Sequence, residues 1–267
     1  MAKITQKLLT IRDGFERLAG HVLFPESASC QLCGEYRLAD EKYALCAECM
    51  QKLEEMHVPS SACDKCLFPM HAQNGCRMCR SKKMNAIDRS YAPFRYRQEV
   101  RKLIHELKFE CNASFLEYLG DQMQEALTDR DYDGIVPVPL NKKRLEERGL
   151  NQAELLADKL SGRTGIPVLK ALSRSGYQKP QSETPVAQRE KNIRGCFHAC
   201  MYIEGKRLLL VDDVRTSGST AQACAKELKN AGAAFVGLCT VAVVYRHPKK
   251  MRLKPCGKKT RHRIIGK

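Results

Sequence analysis

Four pairs of cysteines within residues 30–79 constrain this chain more than any other feature of its sequence. Two residues separate the thiols of each pair, a spacing that lets both thiolates face one tetrahedral ion at about 2.3 Å. Four pairs supply eight ligands, enough for two ions with four thiolates each. The spacing therefore predicts two structural zinc ions held by Cys30, Cys33, Cys46, Cys49, Cys63, Cys66, Cys76 and Cys79.

Disulfides and redox-active pairs are the weaker interpretations of these cysteines. The sequence shows no secretory signal, so we expect a reducing, cytoplasmic environment, and the pairs lack the βαβ context of a thioredoxin-like motif. Gaps of twelve and nine residues suit short hairpins and favour a serial arrangement, in which neighbouring pairs share an ion. A cross-braced arrangement, in which alternate pairs share it, stays open. A closed four-cysteine site offers no position for catalysis.

Beyond residue 85 the hydrophobic pattern changes to alternating strands and helices. Continuous apolar runs indicate buried strands at residues 133–140, 207–214 and 235–244. Helical spacing of apolar residues predicts helices within residues 99–127, 151–165 and 219–233. Such alternation predicts a doubly wound α/β fold, a parallel sheet with helices on both faces.

The segment RLLLVDDVRTSGSTAQAC (residues 207–224) places two acids at the end of such a strand. Ligands of doubly wound sheets bind beyond the carboxyl ends of the strands, where Asp212 and Asp213 would lie. Residues 216–220 then open into a helix, whose N–H groups and dipole favour an anion, and Gly218 allows close approach. The segment thus offers acceptors for hydroxyls or a metal beside donors for a phosphate.

Two other interpretations compete for this segment. A nucleotide-hydrolase phosphate loop would need a lysine after its glycine, and the sequence has none there. A simple helix cap by Thr216 or Ser217 is the structural alternative, but it leaves the two acids unexplained.

Much of the net charge of +16 lies at the C-terminal end of the chain. Residues 246–267 contain ten Lys or Arg and no acidic residue, and so supply +10 of it. We expect a mobile tail that serves either solubility or the electrostatic binding of polyanions such as nucleic acid. The longest apolar run, residues 231–244, is too short to span a bilayer, so no membrane insertion is expected.

The motif LLLVDDVRTSGST resembles the phosphoribosyl-pyrophosphate (PRPP) binding motif of type I phosphoribosyltransferases. The whole chain resembles the ComF family of DNA-uptake (competence) proteins, of the ComFC type, and is also similar to relatives linked to gluconate utilisation. The likeness rests on the cysteine pairs, LIHELKFECN, IVPVPLNKKRLEERGLNQAELLA, QREKNIRGCF and the aspartate motif. It implies a type I phosphoribosyltransferase fold preceded by a double zinc ribbon.

This resemblance also implies an organisation in four parts. An amphipathic helix would occupy residues 1–25 and the double zinc ribbon residues 26–84. The phosphoribosyltransferase-like domain would occupy residues 85–245, followed by the basic tail over residues 246–267.

The resemblance implies roles for the residues of the aspartate motif. Asp212 and Asp213 would be the catalytic pair that binds the ribose 2′- and 3′-hydroxyls of PRPP, with Mg²⁺ nearby. Arg215, at a variable position of the motif, is available to face an acceptor or nucleic acid. The 5′-phosphate would be held by Thr216, Ser217, Gly218, Ser219 and Thr220.

Two further segments carry candidate ligands for pyrophosphate. Arginine suits bidentate phosphate contact, so Lys143, Arg144 and Arg148 are candidates; a solvated helix face paired with glutamates is the alternative. The polar segment 173–195 fits a mobile flap over the site, or else an ordinary exposed loop. Its candidates are Arg174, Gln181, Arg189 and Asn192.

Two classes of function follow. The first is a PRPP-dependent phosphoribosyltransferase of natural competence with an unknown acceptor, and the second is a non-enzymatic module that keeps the fold; the two are not exclusive. The second class would bind single-stranded DNA and, by the family resemblance, a competence helicase of the ComFA type. With few aromatic residues available to stack on bases, such binding would depend mainly on phosphate contacts and on salt.

Overall fold

A computed structural model describes residues 29–35, 42–69, 76, 79, 85–109, 112–175 and 195–245. The N-terminal segment 1–25, the basic tail 246–267 and the flap candidates Gln181, Arg189 and Asn192 lie outside these residues. Among the helices described, none is both long and apolar enough to cross a membrane.

The described elements alternate as the sequence predicts from residue 89 onward. The helices are α1 (Ala47–Glu54), α2 (Gln98–Phe109), α3 (Ala113–Ala126), α4 (Lys142–Arg148), α5 (Gln152–Thr164) and α6 (Ser219–Asn230). The strands are β1 (Arg89–Tyr91), β2 (Phe94–Arg95), β3 (Gly134–Pro137), β4 (Leu172–Arg174), β5 (Phe197–Ala199), β6 (Arg207–Arg215) and β7 (Phe235–Val243).

The main sheet is parallel throughout, in the order β1-β7-β6-β3, and β2 also pairs with β7. Leu210 of β6 aligns with Val136 of β3 on one side and with Leu238 of β7 on the other. Strand β6 is therefore internal, which explains its uninterrupted apolar sequence. The predicted doubly wound sheet is confirmed.

Alternate residues of β6 enter two separate hydrophobic cores. Leu209 and Val211 pack with residues of α2, α3 and α5, whereas Leu208 and Leu210 pack with residues of α6. Successive side chains of a strand point to opposite faces, so this alternation also sets the directions of the residues that follow Val211.

A small antiparallel pair of strands is a feature that the sequence pattern did not predict. Strands β4 and β5 pair through Ser173 and His198, and β5 contacts α6. They bracket the segment predicted as a flap. Three residues per strand are too few to show a period, which explains why only its polar character was visible.

The first cysteine-rich module is joined to the sheet domain through one carboxylate on α3. Asp121 accepts hydrogen bonds from Lys42 Nζ at 2.6 Å and the Tyr43 hydroxyl at 2.8 Å, and from Arg163 Nε of α5 at 2.6 Å. Burial acts to raise the pKa of Asp121, but its hydrogen bonds from Lys42 and Arg163 outweigh burial and lower the pKa to about 2. One side chain thus ties three segments together.

Asp121→Asn is expected to lower the free energy of unfolding by about 1–3 kcal/mol, because two cations lose their partly buried carboxylate. Because the pKa of Asp121 is lowered in the folded protein, the stability that its carboxylate contributes is complete above about pH 4 and is lost only as the pH falls toward 2. The difference in unfolding free energy between the variant and the unaltered protein should therefore be equal at about pH 6 and pH 8. Urea unfolding measures it. The control Asp131→Asn, at a side chain that is 85% exposed, should change stability by less than about 0.5 kcal/mol, and equal losses in both variants would contradict this role.

Candidate functional site

The eight predicted ligand cysteines form two groups of four. The first contains Cys30, Cys33, Cys46 and Cys49, and the second contains Cys63, Cys66, Cys76 and Cys79. The Sγ atoms of each group lie within 4.8 Å of one another. Neighbouring pairs share a group, so the arrangement is serial.

Equivalent turns build the first pair of each group. The N–H of Gly34 donates to the carbonyl of Cys30 at 2.7 Å, and the N–H of Leu67 donates to the carbonyl of Cys63 at 2.6 Å. Both donors have positive φ, 77° at Gly34 and 55° at Leu67. This turn aims the two thiols of each pair toward the same point.

The geometry of both groups fits tetrahedral zinc. Sulfur atoms at about 2.3 Å from one ion lie about 3.8 Å apart. The Sγ atoms of Cys33 and Cys46 are 4.0 Å apart, and those of Cys63 and Cys79 are 3.6 Å apart. Burial raises the pKa of Cys79 to about 12, so a divalent cation is what would stabilise such crowded thiolates. Four thiolates close the coordination sphere, which suits a structural ion.

The two adjacent acids lie at the carboxyl end of β6 and face opposite sides of the sheet. Asp213 Oδ2 lies 2.5 Å from Lys108 Nζ of α2. Asp212 lies on the other side, where its charge acts on Arg174 of β4 and Cys224 of α6. Burial, and next the charge of Asp213, raises the pKa of Asp212 well above its usual range. The carboxylates therefore form the floor of a site at the edge of the sheet.

The loop after the acids leaves a helix N-terminus without a side-chain cap. Gly218 is the N-cap of α6 with φ 78°, a left-handed conformation that favours glycine, and makes no side-chain cap bond. Ser217 Oγ accepts from Ser219 N only at 3.4 Å. One cavity is lined by this loop and both neighbouring strands, including Asp212, Thr216, Ser217, Gly218, Ser219, Thr220 and Thr240. Free N–H groups of a first turn in a cavity suit an anion.

Arg174, a flap candidate, lies close enough to Asp212 for their charges to interact. Its Nε is buried and has no hydrogen-bond partner among the described residues. The guanidinium lies 5.1 Å from the ring centroid of Phe197, and burial, followed by the charge of Arg144, lowers its pKa. An orphaned buried guanidinium near an open helix N-terminus is ready to receive an anionic ligand.

The three basic candidates on α4 lie in different surroundings. Arg148 donates to Gln152 Oε1 at 3.0 Å, and Gln152 donates to the Lys108 carbonyl at 3.4 Å, which connects α4 to the acid-bound end of α2. The charge of Arg144 reaches Arg174. Lys143 lies on an exposed face with Glu147 at 3.8 Å, as the solvated-face alternative predicts.

Comparisons with known proteins agree with this geometry. The phosphoribosyl transferase domain family matches residues 145–261. DNA utilization protein YhgH of Salmonella typhi is 29% identical over 216 residues, 78% of this chain and 93% of that protein. Competence protein ComFC of Bacillus subtilis is 25% identical over 210 residues, 73% and 81% of the respective chains. These matches support a ComF-type protein.

The ComF-type chain has a type I phosphoribosyltransferase fold with two four-cysteine groups at its N-terminal end. Among solved structures, a purine phosphoribosyltransferase from Pyrococcus horikoshii is 21% identical to it. That overlap covers 50% of this chain and 78% of the other, with a TM-score of 0.34.

Lys108 belongs to the site but was not among the residues predicted from the sequence. The signal was present, because Lys108 follows the buried residues Val100 and Ile104 at intervals of four on α2. A lysine in line with a buried face needs a partner, and Asp213 is that partner.

The expectation for Arg215 was wrong. Its side chain does not face an acceptor: it is 8% exposed and donates to the Cys66 carbonyl beside the second cysteine group. Arg215 is the last residue of β6, and its contact with the second module joins segments far apart in sequence, which no local pattern reveals.

Metal analysis of the purified protein should find two zinc ions per chain, one for each group. Cys63→Ser removes one ligand from the second group and should leave about one ion, because three thiolates bind zinc far less tightly than four. Cys200→Ser changes an exposed cysteine outside both groups and should retain two. A value near one for the unaltered protein would refute the double site.

Proposed function

We propose that this protein binds PRPP with Mg²⁺ at the carboxyl end of β6. The proposal depends on one observation, that two acids and an uncapped helix N-terminus meet at one edge of the sheet, with the buried guanidinium of Arg174, whose Nε is unsatisfied, close enough to Asp212 for their charges to interact. A sugar phosphate with a pyrophosphate group needs acceptors for hydroxyls and donors for two anionic groups, and this site has both.

Each part of the ligand has a matching part of the site. Asp212 and Asp213 would accept hydrogen bonds from the ribose hydroxyls, and residues 216–220 would donate to the 5′-phosphate. Arg144, Arg148 and Arg174 would approach the pyrophosphate. Mg²⁺, when bound, would neutralise part of the charge on the phosphate oxygens.

Lys108 must give up part of its contact when ribose binds. At 2.5 Å it holds one oxygen of Asp213, which neutralises the acid in the free protein. Sugar hydroxyls compete for the same carboxylate, so Lys108 becomes available to an anionic part of the ligand. The ion pair thus keeps the empty site electrically balanced.

Phosphoribosyl transfer is the reaction that we propose for this site. The bond from the anomeric carbon to pyrophosphate breaks, the pyrophosphate leaves with the bonding electron pair, and a nucleophilic acceptor forms the new bond. The ribosyl centre develops positive charge on the way, which the carboxylates at the floor can stabilise. The acceptor is not defined by the described residues.

We further propose a role in competence or DNA utilisation, with single-stranded DNA and a ComFA-type helicase as partners. Support comes from the names of the relatives and from the charge of +16. A non-enzymatic module that binds DNA is the second candidate function. Its support is the ten basic residues of the tail and the exposed, Lys- and Arg-rich start of α4.

Calorimetric titration with PRPP and Mg²⁺ tests the first proposal. The unaltered protein should bind, and Asp212→Asn and Asp213→Asn should each weaken binding by about 10- to 100-fold, because each removes a charged hydrogen-bond acceptor. Asp131→Asn, an exposed acid at the opposite end of the sheet, should bind normally. If the unaltered protein gives no heat under any condition, PRPP binding and the enzyme proposal both fail.

Salt dependence of DNA binding tests the second candidate. Affinity for single-stranded DNA should fall steeply between about 50 and 200 mM salt, with a shallower slope once residues 246–267 are removed, because fewer counterions are then released. A tail of unchanged length with its ten Lys and Arg changed to Gln should behave like the truncation. Unchanged affinity in both variants would exclude the tail from this role.

A further inference from the structure

Arg215 is a buried cation without a carboxylate partner in the described part of the chain. Its side chain is 8% exposed, and one guanidinium nitrogen donates to the carbonyl of Cys66. Its Nε has no hydrogen-bond partner among the described residues. A buried guanidinium normally requires a countercharge, because removing it from water costs several kcal/mol.

The second cysteine group lies beside Arg215, whose guanidinium donates to the Cys66 carbonyl. Burial lowers the pKa of Arg215, and the charges of Cys66, Tyr245, Cys79 and Cys63 oppose that effect. Four thiolates carry four negative charges, and one divalent zinc cancels two of them. A zinc-bound group therefore keeps a net negative charge of two beside the only side chain of β6 that is both cationic and buried.

Arg215 also lies directly before the phosphate loop. It is the last residue of β6, and Thr216 follows it. A second contact joins the same two regions, because the Gln222 side-chain oxygen, oriented toward the Ala86 N–H, accepts from it at 2.8 Å. Gln222 belongs to the first turn of α6 and Ala86 to the segment that follows the second cysteine group. One end of the phosphate loop is thus fixed against the module and the other against the segment that follows it.

We propose that Arg215 is the counterion of the second cysteine group in its zinc-bound form, and that metal in this group positions the phosphate loop through Arg215. Arg215 is then a positioning residue, since it contacts neither the substrate nor the metal. The proposal rests on the zinc and PRPP sites proposed above. It adds that the two sites are linked and that the first cysteine group is not part of the link.

Thermodynamic linkage makes this coupling reciprocal. If zinc orders the loop and the loop binds an anion better when ordered, the anion must also raise the affinity of the second group for zinc. The module of the first group contacts α3 and α5 through Lys42 and Asp121, and its zinc affinity should not change with the anion. The protein therefore contains its own reference site.

The test is zinc release into a colorimetric chelator, followed in the full-length protein. Arg215→Gln should release one of its two zinc ions at least about tenfold faster than the unaltered protein. Residues that contact metal ligands contribute about 10- to 100-fold to metal affinity, and a loss of affinity with an unchanged binding rate is a faster release. The other ion should leave at an unchanged rate. Arg215→Lys keeps the charge and should restore most of the difference.

Hydrogen–deuterium exchange of residues 216–220 is the second readout and needs no PRPP. Exchange there should be faster in Arg215→Gln, and also in the unaltered protein after the chelator has removed the more labile ion. The latter measurement holds even where a variant fails to fold. Arg95→Gln is the matched control, because Arg95 also donates to a carbonyl and has a buried unpaired Nε, but its carbonyl partner is Glu55, outside the cysteine groups.

Different outcomes separate the failure of this proposal from the failure of those it rests on. The role of Arg215 would be overturned if both zinc ions left Arg215→Gln at the same rate. It would also be overturned if Arg95→Gln changed zinc release and loop exchange as much as Arg215→Gln does. If hydrogen–deuterium exchange of residues 216–220 stays the same after the more labile zinc is removed, the coupling between the two sites is overturned. A protein with fewer than two zinc ions at the start would refute the double zinc site itself. Absence of PRPP binding alone would leave the zinc-release and exchange results to decide the coupling.

Discussion

The two-residue repeat of one internal strand is the constraint on which the rest of this structure depends. Strand β6 is hydrogen-bonded on both edges, and its side chains enter separate cores on its two faces. Because the repeat continues past Val211, Asp212 and Asp213 must face opposite sides. Beyond the acids, Arg215 ends the strand and is buried against the second cysteine-rich module. A slip of one residue would exchange both acids and break every one of these contacts.

Several buried or partly buried charges lie around the carboxyl end of this strand. Asp213 is held by Lys108, Arg174 has an unsatisfied nitrogen, and Arg215 has the cysteine group in place of a carboxylate. Such arrangements cost stability in an empty protein, since buried charges lose their hydration. The proposed ligands would compensate these costs. On this account anionic substrate and metal ions complete the electrostatics of the fold.

The sequence was informative where chemistry depends on local spacing. Paired cysteines, the continuous apolar runs and the glycine before α6 gave the two cysteine groups, the parallel sheet and the open helix N-terminus. It failed where contacts join distant segments. Arg215 and Cys66 lie far apart in sequence, and the β4–β5 pair is too short to show a period. Lys108 is an intermediate case. Its position on the buried face of a helix can be read from the sequence, but its partner Asp213 cannot.

Amide NMR of the loop during titration with PRPP and Mg²⁺ tests the central claim most directly. The account predicts that the N–H signals of Gly218, Ser219 and Thr220 shift most, because they are the donors at the start of α6, where Gly218 makes no side-chain cap bond. Signals of the first cysteine group should stay in place. Shifts confined to another surface, with the loop unchanged, would contradict the account.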